Sequence, residues 1–190
     1  IASPFGKILK INIQSNNNDY EIKSLGNRNI QGVHFDKKAQ KIYMTEHGPR
    51  GGDEINIIDL KDTDISNFGW PISSYGDHYS EFIDGVSKYD KYPLYKSHKD
   101  HGFKEPIKYF VPSIGIKDII KIEPNYLIVS SLKANTLFVF EIQDNGRIKE
   151  VKTVNVGQRI RDINLYNNKL YLSLESANNI GVINLDNLLS

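Results

Sequence analysis

The sequence predicts an all-β protein whose strands are grouped into the radial, four-stranded blades of a β-propeller. Three observations carry that expectation. The 190 residues include 11 Tyr and 8 Phe, with many Ile and Val, all types that fit pleated and half-buried surfaces. Apolar residues come in short runs or alternate, with turn residues between them. Finally, separate stretches of the chain repeat one plan of strand, tight turn, strand, loop and strand.

In order, strands are predicted at 7–13, 32–35, 41–46, 54–60, 107–111, 116–122, 126–131, 136–142, 148–154, 160–165, 169–174 and 180–185. No stretch sustains a capped 3.6-residue apolar period, so very little helix is predicted. Met44, Val129 and Leu172 hold equivalent places in the repeated plan. The last two are one blade repeat of about 40–45 residues apart, and the first two about twice that. The extra length falls in 61–105, which lacks the plan and is read as an insertion between blades. Blades are therefore placed at about 5–60, 106–145 and 148–187. Closed propellers have typically four to eight blades. A missing half of the propeller, or a second copy of the chain, is expected to cover the open blade faces.

Composition excludes several classes. Lys and Arg total 24 against 23 Asp and Glu, a net charge of +1. Binding to nucleic acid or to an anionic membrane by bulk charge is not expected, so any anion site must be a local cluster. The absence of cysteine excludes disulfides, thiolate metal sites and a Cys nucleophile. No apolar run approaches the roughly 20 residues that span a bilayer, and no membrane insertion is expected. The opening Ile1-Ala2-Ser3-Pro4 has neither an initiator Met nor a signal-peptide pattern, and reads as a cut.

Four segments carry candidate chemistry. Gly26-Asn27-Arg28-Asn29-Ile30-Gln31-Gly32 offers planar hydrogen-bonding groups suited to a flat, carbonyl-rich anion, though alone it reads equally as a polar turn. Glu46-His47-Gly48-Pro49-Arg50-Gly51-Gly52-Asp53-Glu54 follows a strand with a glycine-rich loop, which exposes backbone carbonyls to a hard cation such as calcium. Ser130-Ser131-Leu132-Lys133 ends a strand, where a lysine is ordinarily solvated. In Gly157-Gln158-Arg159-Ile160-Arg161-Asp162 the two arginines share one face of an extended segment, and repel unless an anion or Asp162 lies between them. Equivalent propeller loops converge on one end of the channel. Arg28, Lys133, Arg159 and Arg161 are thus expected to form a positive pocket for a multiply charged anion.

Taken in order, Gly-x-Arg-Asn-x-Gln-Gly, Glu-His-Gly-Pro-Arg-Gly-Gly-Asp-Glu-Ile-Asn, Asn-Phe-Gly-Trp-Pro, Val-Pro-Ser-Ile, Ser-Leu-Lys and Gln-Arg-Ile-Arg-Asp resemble the glucose/sorbosone dehydrogenase family. That family includes the soluble glucose and aldose sugar dehydrogenases that use pyrroloquinoline quinone (PQQ). The resemblance runs from about residue 5 to 185. It implies a six-bladed propeller of which this chain is the C-terminal half, about three blades.

The resemblance also implies roles. Arg28, Asn29 and Gln31 would line the quinone pocket, Lys133 would contact PQQ, and Arg159 and Arg161 would hold its carboxylates and ring. The carbonyls of Gly48 and Pro49 would bind the calcium that also grips PQQ. Glu54, with the backbone near Phe68, would hold a second, structural calcium. The implied reaction is oxidation of an aldose sugar to a lactone by a periplasmic or secreted enzyme.

No catalytic residue is expected in this chain. The general-base His of the family falls in the missing N-terminal half, and none of His34, His47, His78, His98 or His101 matches it. His34 is expected to pack in its strand, His47 to support the loop, and His78, His98 and His101 to be solvated. Lys117 and Asp118 stand where a small polar stretch is expected, and the tyrosine-rich insertion reads equally as a sugar entrance or a surface loop. Two other functions stay open. One is a non-enzymatic propeller that binds a protein or glycan, and the other is a calcium-dependent propeller hydrolase.

Overall fold

The structure is a computed structural model, and it describes residues 3–14, 19–83, 85–176 and 179–190. Ile1 and Ala2, on which the reading of a cut start rests, lie outside them. The chain is all-β. Its strands are β1 (Ile8–Ile11), β2 (Tyr20–Leu25), β3 (Ile30–Asp36), β4 (Lys41–Glu46), β5 (Asp53–Asp59), β6 (Ser66–Asn67), β7 (Phe82–Ile83), β8 (Val86–Ser87), β9 (Lys108–Phe110), β10 (Ile116–Ile122), β11 (Tyr126–Ser131), β12 (Thr136–Ile142), β13 (Ile148–Asn155), β14 (Ile160–Tyr166), β15 (Lys169–Leu174) and β16 (Ile180–Asn184). Two short helices, α1 (Lys88–Lys91) and α2 (Leu185–Leu189), and a 3-10 turn (Lys99–His101) are the helical content of the described residues. None of them is long and apolar enough to cross a membrane.

Sheets run in the orders β1-β2-β6, β3-β4-β5-β9, β10-β11-β12-β13 and β14-β15-β16, with a small β7-β8 hairpin. The repeated plan is visible in the registers. Met44 pairs with Val33, Val129 with Ile119 and Leu172 with Ile163, each on the second strand of its sheet. A register shift interrupts the first strand near its start in all three sheets, at Ile30/Gly32, Ile116/Ile119 and Ile160/Asp162. Such bulges bend the strand and re-aim its side chains.

The boundaries differ from expectation. The stretch 5–60 divides between two sheets, and β2 is a strand that the sequence pattern did not single out. β9 pairs with β5 and completes the sheet begun at Ile30, where it was expected to open the next one. Likewise β13 pairs back onto β12. A run of β-branched residues marks a strand, but the edge it joins is decided by which partner lies free nearby.

Neighbouring sheets pack face to face through apolar layers. Tyr43, Ile55, Phe110, Ile119, Leu127, Val129 and Phe140 lie between the β3 and β10 sheets. Ile122, Ile128, Leu137, Val139, Ile163, Leu170, Leu172 and Leu188 lie between the β10 and β14 sheets. Strand β11 feeds both layers, which is why Leu127, Ile128 and Val129 form an unbroken apolar run. β10 packs on β3 and β4, and β14 packs on β10 and β11, so the first strands of the sheets stand side by side.

Candidate functional site

That side-by-side packing brings one end of each sheet together. Arg28 precedes β3, Lys133 follows β11, Arg159 precedes β14 and Arg161 lies just inside it. β11 returns antiparallel to β10, so all four cations stand at the same end of the sheets. Polar bonds lock these ends to one another. Lys117 Nζ donates to Gln31 Oε1 at 3.1 Å, the Thr45 hydroxyl donates to the Lys117 carbonyl, and His47 Nε2 meets the Ile116 carbonyl. Between the next pair of sheets, the Ile163 N–H donates to Asp118 Oδ2 at 3.1 Å. Lys117 and Asp118, departures from the expected pattern, therefore join sheets.

Arg28 is half-buried. Its Nη1 donates to the carbonyls of His47 at 3.0 Å and Gly48 at 2.8 Å, and its guanidinium lies 5.1 Å over the Trp70 ring. Its Nε is buried without a hydrogen-bond partner. Asn29 is exposed and accepts from Gln31 Nε2 through its side chain at 3.0 Å. Lys133 is exposed, and its ammonium makes no ion pair among the described residues. Close by in sequence, Asn135 Oδ1 and Gln158 Oε1 are buried without partners. Orphaned buried polar atoms are rare in finished structures; others among the described residues belong to Asp36, Asn56, Ser73 and His98.

Between Arg159 and Arg161 lies an anion, and it is Glu175 rather than Asp162. Arg159 Nε pairs with Glu175 Oε2, and Arg161 Nη2 lies 2.7 Å from Glu175 Oε1. The arginines hold the Glu175 carboxyl below its usual range, Arg161 most strongly. Asp162 instead faces Asp118. Burial first, and the neighbouring Asp162 with it, push the Asp118 carboxyl up to about 6.

The glycine-rich loop turns on two left-handed glycines, and its Gly48 and Pro49 are buried. Gly51 and Gly52 take φ of 88° and 69°, which only glycine adopts freely. A Cβ on Gly52 would come within 2.2 Å of the Gly76 nitrogen. The Gly48 carbonyl faces Arg28, and the Pro49 carbonyl accepts from the Tyr79 hydroxyl at 3.0 Å. Each carbonyl keeps a second lone pair. Among the described residues no group of three or more His, Cys, Asp or Glu side chains is placed to hold a metal ion. These two oxygens are neutral ligands of the type a hard cation takes, and a shell built on them would need an anionic ligand and a place beside the Arg28 guanidinium. Four cations at one end of the sheets are the donor type that a flat polyanion such as PQQ requires, and two of them, Arg159 and Arg161, already hold Glu175.

Beneath this loop lies a buried polar layer. Glu46 and Glu54 are direct cross-strand partners. Asn56 Nδ2 donates to both, to Glu46 Oε1 at 2.9 Å and Glu54 Oε2 at 3.1 Å, and the Arg28 N–H donates to Glu46 Oε2 at 2.8 Å. Burial, then the facing Glu54, push the Glu46 carboxyl up to about 8. Like charges directly opposite on a sheet repel, and a shared proton relieves this. Glu54 and the Phe68 carbonyl both meet the His98 ring. Its Nδ1 donates to the Phe68 carbonyl at 2.9 Å, and its Nε2 lies 3.3 Å from Glu54 Oε1. Burial opposes the charged ring, but the Glu54 carboxylate beside it outweighs this and raises the pKa.

His98 was expected to be solvated and is 1% exposed. His78 is half-buried, with Nε2 2.8 Å from the Tyr92 carbonyl, and His101 stacks on Tyr95 at 3.7 Å. His34 is half-buried in β3 and His47 is tied to β10. Sequence reasoning missed Glu175, the burial of His98 and the facing of Glu46 by Glu54. The i+2 arginine pair, which required a counter-ion, was the one signal pointing to any of them.

Comparison with known proteins agrees with the architecture. The Glucose / Sorbosone dehydrogenase family profile matches residues 3–183, and the chain belongs to that family. It is similar to the aldose sugar dehydrogenase YliI of Escherichia coli, with 32% identity over 75% of this chain and 38% of the relative. The apo crystal structure of the soluble aldose sugar dehydrogenase of Escherichia coli aligns with a TM-score of 0.63 and 29% identity, over 84% of this chain and 45% of that one. The PQQ-bound aldose sugar dehydrogenase of Streptomyces coelicolor shares the fold, with a TM-score of 0.60 at 21% identity over 91% of this chain and 47% of that one. The chain spans about 40% of the length of the curated relatives it matches.

Proposed function

We propose that this chain forms the cofactor-binding wall of a PQQ- and calcium-dependent aldose sugar dehydrogenase with a six-bladed propeller. A periplasmic or secreted location belongs to the same reading. One observation carries it: Arg28, Lys133, Arg159 and Arg161 stand at one end of three adjoining sheets in a chain whose net charge is only +1.

Lys133 and the two arginines hold the carboxylates of the cofactor, and Arg28 and Gln31 line its edge. The Trp70 ring packs against the Arg28 guanidinium. The Gly48 and Pro49 carbonyls supply two calcium ligands. When bound, the quinone supplies a two-electron acceptor and the calcium a Lewis acid. The base that takes the sugar hydroxyl proton belongs to a part of the enzyme outside this chain.

The test is a titration of the chain with PQQ and Ca2+, followed by quinone absorbance and thermal melting. A spectral shift with a raised melting temperature is expected, and sugar-dependent dye reduction only after the N-terminal half is added. No spectral change at micromolar quinone would overturn the proposal.

One observation favours a second reading, a propeller that binds a protein or glycan without catalysis. Glu175 already neutralises Arg159 and Arg161. Fold alone does not fix function, and the same titration separates the two readings.

A further inference from the structure

We infer that the His98 imidazole takes the place that the family resemblance gives to a second calcium ion, so that this chain closes the Glu54–Phe68 locus with a side chain. The inference rests on the family resemblance and not on the quinone reading.

Geometry carries it. The two oxygens implied as ligands both meet one ring: Phe68 O is hydrogen-bonded to Nδ1 at 2.9 Å, and Glu54 Oε1 lies 3.3 Å from Nε2 as an ion-pair contact without hydrogen-bond geometry. Calcium needs six to eight oxygens at about 2.3–2.6 Å. The ring lies against both oxygens, so an ion bonded to either on that side would have to displace it. The second Glu54 oxygen is already bonded to Asn56. Beside the ring remains a cavity of about 10 Å³, room for roughly one water.

The ring is held in place from several sides. It stacks on Tyr75 at 5.3 Å between centroids. The Tyr75 hydroxyl donates to Glu105 at 2.7 Å, and the other Glu105 oxygen accepts from the Lys99 N–H at 2.8 Å. The His98 carbonyl accepts from the N–H groups of His101 and Phe103. A side chain fixed by its own neighbours is not free to swing aside for an ion. The insertion at 61–105 thereby pins itself to β5 with an imidazole.

The test is thermal melting of the quinone-free chain with millimolar Ca2+ or with a chelator, in wild type, Glu54→Gln, His98→Ala and the double variant. Wild type is expected to show no Ca2+ response that depends on Glu54. A response that persists in Glu54→Gln arises elsewhere, as at the Gly48 and Pro49 carbonyls, and agrees with the inference. His98→Ala is expected to melt several degrees lower and to gain a Ca2+ response that the double variant loses. A wild-type rise with Ca2+ that Glu54→Gln abolishes overturns the inference, as does a folded His98→Ala without any gained response. Should His98→Ala fail to fold, the comparison of wild type with Glu54→Gln decides. Loss of quinone binding leaves each of these readouts intact, so the two proposals fail separately.

Discussion

The Arg28 guanidinium lies 5.1 Å from the centroid of the Trp70 ring, while its Nη1 donates to two successive carbonyls of the glycine-rich loop. One side chain thus joins the start of β3, the loop after β4 and the insertion. A lysine has neither the planar fork nor the stacking face for this arrangement. Arg28→Lys should weaken PQQ binding by about tenfold or more, equivalent to about 1.4 kcal/mol. Quinone absorbance titration in the presence of Ca2+ measures it, and undiminished affinity would remove Arg28 from the pocket.

Glu175 stands where a carboxylate of the cofactor is proposed to bind. Glu175→Gln removes the competing charge and leaves Arg159 and Arg161 without a counter-ion. Quinone affinity should rise several-fold at low salt, with little change in melting temperature, because exposed ion pairs contribute little to stability. If the arginines serve only to hold Glu175, affinity stays the same.

Burial of Asp118, with Asp162 beside it, sets a pH dependence. The folded chain holds the Asp118 proton up to about pH 6, against an ordinary value of 3.8. Between those values the folded state binds more protons than the unfolded state, so stability falls as pH rises through the window. Asp162→Asn removes the like charge. It should stabilise the protein by about 1 kcal/mol at pH 8 and by far less at pH 4. Urea unfolding at the two pH values checks this.

Gly52→Ala should destabilise the chain by about 2 kcal/mol or more, since its φ is +69° and an added Cβ meets the backbone of Gly76. Denaturant unfolding measures the loss. The same change in Gly85, where nothing lies within 4 Å of the added carbon, should cost less.

Strands and repeat were legible because their signals are local. The equivalent places of Met44, Val129 and Leu172 could be read from apolar runs and turns, and the registers agree. Pairing was not legible in the same way. β9 and β13 looked like the first strands of new units, because nothing within a strand says which edge it will join. β2, with the sequence YEIKSL, was not singled out although three of its six residues are apolar. In the site, Arg28 and the glycine-rich loop announced themselves by composition. His98 did not, because its burial arises when a turn-rich stretch folds back over β5. Glu175 is an ordinary glutamate until β15 carries it beside the two arginines.

The β5–β9 pairing, Asp53 with Phe110 at one end and Ile55 with Lys108 at the other, bears on how the chain emerges during synthesis. Residues 30–59 can collapse early, but their last edge stays bare until the ribosome has delivered the whole intervening stretch. In that interval the nascent polypeptide displays an unpaired, half-buried strand that another molecule can seize. Slow translation through the insertion would lengthen this vulnerable interval, and a premature stop before Lys108 would make it permanent.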